Sequence, residues 1–274
     1  MSTNASNADY SITDLLEIMD KLRDPENGCP WDIEQSFESI APYTIEESYE
    51  VDEAIRANDM ASLRDELGDL LFQVIFHSQM AKEEHHFTFS DVVQTVCKKM
   101  IRRHPHVFGN ATIQDADAQV AAWEDHKAKE REAKAKTEGR VPSVLDGVTV
   151  GLPSLLRAIK LQNRAARIGF DWPETIQVLD KIQEESLELL EEYQSGGSKA
   201  RLKEEFGDLL FVMANLARHM DIDPEEALRA GNAKFEKRFR KVEEQLAILG
   251  RAPRDSNLEE MNQLWNQAKE EEKR

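Results

Sequence analysis

One four-acid pattern occurs twice in this chain, and it constrains the fold more than any other feature. In the first half Glu46-Glu47-x-x-Glu50 is followed by Glu66-Leu67-Gly68-Asp69, and in the second Glu184-Glu185-x-x-Glu188 is followed by Glu205-Phe206-Gly207-Asp208. The flanks repeat too, with Gly68-Asp69-Leu70-Leu71-Phe72 returning as Gly207-Asp208-Leu209-Leu210-Phe211. Helical periodicity dominates both halves and no convincing alternating strand is found, so the acids belong on helices. A dense acidic group on neighbouring helices is unfavourable unless a cation sits among its members. The repeat therefore points to a divalent-metal site, and through it to phosphate chemistry.

The acids converge if each pair of helices folds back on itself. Short polar turns around Asn58-Asp59 and Gly196-Gly197 predict two antiparallel hairpins. Glu47 and Glu50 lie 11 and 8 residues before Asn58, while Glu66 and Asp69 lie 8 and 11 after it. The second half repeats this mirror about its glycine pair. With a rise of ~1.5 Å per residue, opposing acids stand at equal heights, ~12 and ~17 Å from the turn. Beside them run apolar stripes at helical period that should face the core: Ile182, Ser186, Leu189, Leu190 and Tyr193, then Leu202, Phe206, Leu209, Leu210 and Met213. Their first-half counterparts are Thr44, Ser48, Val51 and Ile55, then Leu63, Leu67, Leu70, Leu71 and Val74. A single Glu-x-x-Glu on a surface helix is ordinarily a solvated face. Two mirrored pairs are instead a donor set for Mg²⁺, which takes oxygen ligands and leaves water positions for phosphate. A glycine inside a helix costs ~1 kcal/mol against alanine. Gly68 and Gly207 therefore mark either close approach of a ligand or neighbouring helix, or tight helix packing alone.

Glycine and proline gather at Pro25 to Pro30, Gly109, Pro142 to Pro153, Gly169 to Pro173, Gly196-Gly197 and Pro253, which are the expected joints. They divide the chain into a helical unit over 1–110, a connecting segment over 111–150 and a second unit over 151–274. The stretch Trp123 to Arg140, rich in Ala, Lys and Glu, reads as a solvated connecting helix. The tryptophan phrases Gly28-Cys29-Pro30-Trp31-Asp32 and Gly169-Phe170-Asp171-Trp172-Pro173 and the basic pairs Lys99/Arg103 and Lys234/Arg238 also recur, as an internal duplication would produce. In the first unit Pro105 should end the helix soon after Arg103, whereas Lys234 and Arg238 sit in a run reaching Leu249. That difference ranks the second unit as the catalyst.

Across 274 residues, 35 Lys and Arg face 53 Asp and Glu, a formal net charge of −18. Such a surface disfavours nucleic acid and anionic membranes as partners. No apolar run approaches the ~20 residues needed to cross a bilayer, and Met1 to Tyr10 lacks the charge and apolar pattern of a signal peptide. Cys29 and Cys97 are too few for a disulfide framework. The chain reads as a reduced, soluble, cytoplasmic protein.

From about Leu15 to Trp265 the sequence resembles a full-length, two-domain member of the MazG family, within the all-α NTP pyrophosphatases. The acid signature in both halves carries the resemblance, together with Asn27-Gly28-Cys29-Pro30-Trp31-Asp32 and Arg103-His104-Pro105-His106-Val107-Phe108. The resemblance implies an all-α fold of two tandem helical units, with four-helix-bundle-like sites completed in a homodimer or higher assembly. It implies Mg²⁺-dependent hydrolysis of NTPs and dNTPs to monophosphate and pyrophosphate, with Mn²⁺ as a substitute ion. Carried over, Glu185, Glu188, Glu205 and Asp208 would be metal ligands of the second unit, and Glu47, Glu50, Glu66 and Asp69 those of the first. Lys234 and Arg238 would contact phosphate, with Lys181, Lys203 and Trp265 near the nucleotide; ion pairs to neighbours such as Glu236 are the competing reading for the two cations. Glu184 or Glu46 is the candidate base beside the ligand set.

Two rival readings stand against this one. A di-iron bundle needs two Glu-x-x-His motifs, and only Glu83-x-x-His86 fits, away from the acids. A nucleotide- or metal-sensing module or helical scaffold would suit the surplus of charged helix. His104-Pro105-His106 reads as structural, since no Cys or carboxylate lies at metal spacing.

Overall fold

A computed structural model describes residues 10–272; the reading of Met1 to Tyr10 as lacking a leader therefore falls almost wholly outside the described residues. Twelve α-helices and a short 3₁₀ turn are found among them, with no strand. In chain order they are α1 (Ile12–Leu22), α2 (Pro30–Glu34), α3 (Phe37–Arg56), α4 (Met60–Glu83), α5 (Phe89–Arg103), α6 (Pro105–Phe108), α7 (Ala116–Thr137), α8 (Ser154–Ala166), α9 (Thr175–Gln194), α10 (Lys199–His219), α11 (Pro224–Ile248) and α12 (Leu258–Glu271). The chain divides into two compact units, Met1–Trp123 and Glu124–Arg274, the boundary falling inside α7.

Each unit is built around a helical hairpin, α3 with α4 and α9 with α10. Local chemistry sets both turns. Asn58 takes φ +54°, and Asp59 then caps α4 by accepting from the backbone N–H groups of Ala61 and Ser62. In the second unit Gly196 supplies φ +73°, and Ser198 caps α10 through the Arg201 N–H. The first core lies away from the turn: Met19, Ile40, Ile75, Phe76 and Met80 are buried together, with Leu15, Phe37, Phe72 and Phe89 packed around them. In the second unit α8 packs on α10, and α11 on α12; Ala158, Val178, Val212, Val242, Leu246 and Ala268 are buried.

The apolar stripes are not covered as the periodicity predicts. On α9 and α10 only Ile182, Leu189, Leu202 and Leu209 are half-buried, while Ser186, Leu190, Tyr193, Phe206, Leu210 and Met213 are exposed. The first unit behaves alike, with Ser48, Ile55, Leu67, Leu71 and Val74 exposed. A stripe wide enough for a four-helix bundle has one neighbouring helix in a hairpin, so part of it stays uncovered.

Nor is α7 solvated all round. Ala135 is fully buried, Trp123 donates its indole N–H to the Arg103 carbonyl at 3.1 Å, and Glu124 is ion-paired to Arg167. No helix among the described residues is long and apolar enough to cross a membrane.

Candidate metal centre

The hairpins bring three carboxylates together in each unit. Glu185, Glu205 and Asp208 each place one oxygen within 4.8 Å of the others, and Glu47, Glu66 and Asp69 do the same. Mirrored spacing about the turns accounts for one facing pair in each group, Glu185 with Asp208 and Glu47 with Asp69, because the paired helices run antiparallel; Glu205 and Glu66 join them without their own equal-height partners. Glu185 and Glu205 are buried, at 5% and 8% exposure, and Asp208 is exposed. The fourth predicted acid of each set stands at the rim. Glu50 and Glu188 are exposed and lie outside the close groups. Their charges still reach the centre. Burial first, then Glu185, pushes the Glu188 pKa up, and Glu50 contributes to the upward shift of both Glu47 and Glu66.

The donor set is all oxygen, from two helices and without His or Cys, which suits a hard divalent ion such as Mg²⁺, Mn²⁺ or Ca²⁺. The two sets differ in their counter-charges. In the second unit Lys181 Nζ lies 2.7 Å from Glu185 and 2.8 Å from Glu184. Arg201 reaches Glu205 at 2.6 Å and Glu204 at 2.7 Å. Each cation lies four residues before its ligand carboxylate. The same offsets in the first unit fall on Tyr43 and Ser62, which carry no charge. There burial, then Asp69 and Glu50, hold the Glu47 pKa up; for Glu66 the causes are burial, then Glu50, Asp69 and Asp65. The role of Arg201 is absent from the sequence reading, although its spacing to Glu204 and Glu205, i to i+3 and i+4, is the signal that would have found it.

The remaining candidates are placed by α11 and α12. Arg238 donates through Nε to Glu272 at 2.8 Å and lies over the Trp265 ring, 5.7 Å from its centroid, while Phe235 packs against the same indole. For Arg238 the competing reading, an ion pair to an acid of the chain, is therefore what is observed, with Glu272 as the partner, while Glu236 pairs with Arg240. Lys234 and Lys203 are exposed. A Cβ added at Gly68 or Gly207 would meet nothing within 4 Å, so tight packing inside this chain does not explain either glycine.

Two other sequence features resolve into ordinary structure. Glu83 of the Glu-x-x-His motif is held by Arg23 at 2.6 Å, and His86 lies 3.2 Å from Glu84. His104 sits at the end of α5, its Nδ1 2.7 Å from the Met100 carbonyl and its ring against Trp123.

Comparison with known proteins identifies the family. The family described as the MazG nucleotide pyrophosphohydrolase domain matches residues 35–108 and 174–243, and each match contains one acid set. A nucleoside triphosphate pyrophosphohydrolase of Escherichia coli (strain K12) is 48% identical over 262 residues, 95% of this chain and 98% of that protein. The nucleoside triphosphate pyrophosphohydrolase/pyrophosphatase MazG of Thermotoga maritima is 41% identical over 93% of this chain and 94% of its own length. A crystal structure of a mazG-related protein from Thermotoga maritima aligns with 42% of this chain at 29% identity and a TM-score of 0.37. With its domain present twice and near-complete coverage of such relatives, this chain belongs to the MazG nucleotide pyrophosphohydrolase family.

Proposed function

We propose that this chain hydrolyses nucleoside triphosphates, NTPs and dNTPs, to nucleoside monophosphate and pyrophosphate, with Mg²⁺ held by Glu185, Glu205 and Asp208 and with Glu188 at the rim. The observation that carries the proposal is the convergence of three carboxylates on a hairpin, twice, in a chain of this family. What Mg²⁺ supplies when bound is charge neutralisation on phosphate and a more acidic water. The protein supplies the rest. A water oxygen attacks the α-phosphorus, the α–β anhydride breaks, and the water's proton passes to a carboxylate beside the ligands. Glu184 is our candidate acceptor, held by Lys181 on one side of the site; Glu46 is its equivalent in the first unit. Lys234 and Arg238 offset charge on the leaving pyrophosphate, with Lys203 and Trp265 near the nucleotide.

We assign turnover to the second unit. Its basic pair lies on the continuous α11, whereas α5 ends at Arg103 with a new helix starting at Pro105. The uncovered stripes on α9 and α10 support a homodimer or higher assembly that completes the bundle. The free thiols of Cys29 and Cys97 suit the cytoplasm.

Incubating the intact protein with Mg²⁺ and each NTP should release pyrophosphate and NMP. Release of orthophosphate and NDP would instead place cleavage at the other anhydride. Replacing Glu185 and Glu188 by Gln should abolish turnover. Full loss from Glu47 and Glu50 to Gln alone would move the active site to the first unit.

A further inference from the structure

Within the second unit, and lined by none of its acid set, a cavity of about 340 Å³ lies between α7, α8 and the loop that joins them. Its walls carry Lys127, Lys160, Arg164 and Arg167 against one carboxylate, Glu124, with Thr149 and Asn163 as uncharged polar groups. This positive surplus stands in a chain of formal net charge −18. An adjoining cavity of about 290 Å³ shares Glu124, Arg164 and Arg167 and adds Arg131, with Asp125 and Glu132 beside it.

The carboxylate is already committed. Glu124 accepts from Lys127 Nζ at 2.8 Å and pairs through its other oxygen with Arg167. Arg164 is left over: its Nη1 is buried and meets no acceptor among the described residues. Burial first, and the like charges of Arg131 and Arg167, push its pKa down, against the pull of Glu124. Buried guanidinium N–H groups normally find an acceptor. The planar fork of Arg matches phosphate oxygens, and Lys supplies point charge for the same group. Four cations around a cavity of this size exceed what one carboxylate ligand would balance.

We propose that this cavity is a second anion site, taking the di- or triphosphate group of a small molecule, either free polyphosphate or the phosphate tail of a nucleotide. The site shares no residue with the second unit's acid set and is independent of the hydrolysis proposed above. One helix connects the two. α8 presents Lys160, Asn163 and Arg164 to the cavity, with Arg167 at its C-cap, and packs its buried Ala158 and Gln162 inward. Gln162 Nε2 donates to the Phe211 carbonyl of α10 at 2.8 Å, on the helix that carries Glu205 and Asp208.

The test is calorimetric titration of the full chain in EDTA, with inorganic tripolyphosphate and, separately, with ATP. Tripolyphosphate should bind the wild type and a Glu185→Gln/Asp208→Asn variant alike. A Lys160→Gln/Arg164→Gln variant should bind about tenfold more weakly. ATP binding with the same sensitivity identifies a nucleotide's phosphate tail as the ligand; tripolyphosphate binding alone identifies a free polyanion. The proposal is overturned if neither binds in EDTA. It is equally overturned if binding survives in the cavity variant but is lost in Lys234→Gln/Arg238→Gln. Should circular dichroism show the double variant unfolded, Lys160→Glu alters an exposed side chain alone and decides the matter: weakening by roughly threefold or more supports the site, and unchanged binding removes it.

Discussion

Arg201 and Ser62 hold the same place in the duplicated pattern, and Lys181 and Tyr43 hold another. These exchanges set the charge balance of the two acid sets. Lys181 and Arg201 neutralise two of the three second-unit carboxylates, whereas in the first unit Glu47 is pushed toward its protonated form by burial and by Asp69 and Glu50. A carboxylate whose folded pKa is raised destabilises the fold when ionised, and that penalty fades as pH falls through the raised value. Glu47→Gln should therefore raise the melting temperature in EDTA at neutral pH by about 1–2 °C after allowing for solvent screening. The gain should disappear in saturating Mg²⁺, where the ligand is needed; a lower melting temperature in EDTA would refute the repulsion. Glu124 has the opposite sign. Burial alone would raise its pKa, but hydrogen bonds and charge from Lys127 and Arg167 outweigh it and set the value at about 2. Its contribution is full above the unfolded value of ~4.3 and is lost as pH falls from there toward about 2. Urea midpoints of wild type and Glu124→Gln should accordingly keep a constant gap from neutral pH to about pH 5 and draw together as pH falls from ~4.3 toward about 2; a gap unchanged over that lower range would rule the pairing out. Three acids of each set were legible from spacing; the fourth, Glu50 or Glu188, was expected with them and lies outside the close group. Arg201 was not read from the sequence, because an i to i+4 cation on a charged helix is usually a solvated pair.

The hairpins were the most readable elements. Asn58-Asp59 and Gly196-Gly197 are turn chemistry with a mechanism, and the structure closes α3 on α4 and α9 on α10 there. Which face of each helix is covered was not readable, since periodicity locates a stripe without naming its neighbour. The glycines give an element-scale test. Because a Cβ at Gly207 meets nothing within 4 Å, Gly207→Ala should stabilise α10 by about 0.5–1 kcal/mol in chemical denaturation. If substrate or a second copy approaches that backbone, turnover falls in the same variant. Stabilisation with full activity would make the glycine dispensable.

At the scale of the whole molecule, the uncovered apolar residues form the largest departure from expectation. Leu190, Tyr193, Phe206, Leu210 and Met213 are each at least 44% exposed, on the two helices that hold the second acid set. Large apolar faces of this kind ordinarily meet a partner. Leu190→Glu/Phe206→Glu should reduce the mass measured by light scattering to that of one chain while helicity is retained. A wild type that is already monomeric would exclude the assembly.

Sequence by itself determined the all-helical class, the duplication, the turns and the convergence of three of the four acids in each set, because these depend on local propensity and on distances counted along regular helices. Tertiary structure decided what lay between segments distant in the chain. It buried Ala135 of a helix that composition marks as solvated, gave Arg238 the partner Glu272, and set Arg164 beside Arg131 and Arg167 around one carboxylate. Such pairings depend on which helix packs against which, and no periodicity within a single segment encodes them.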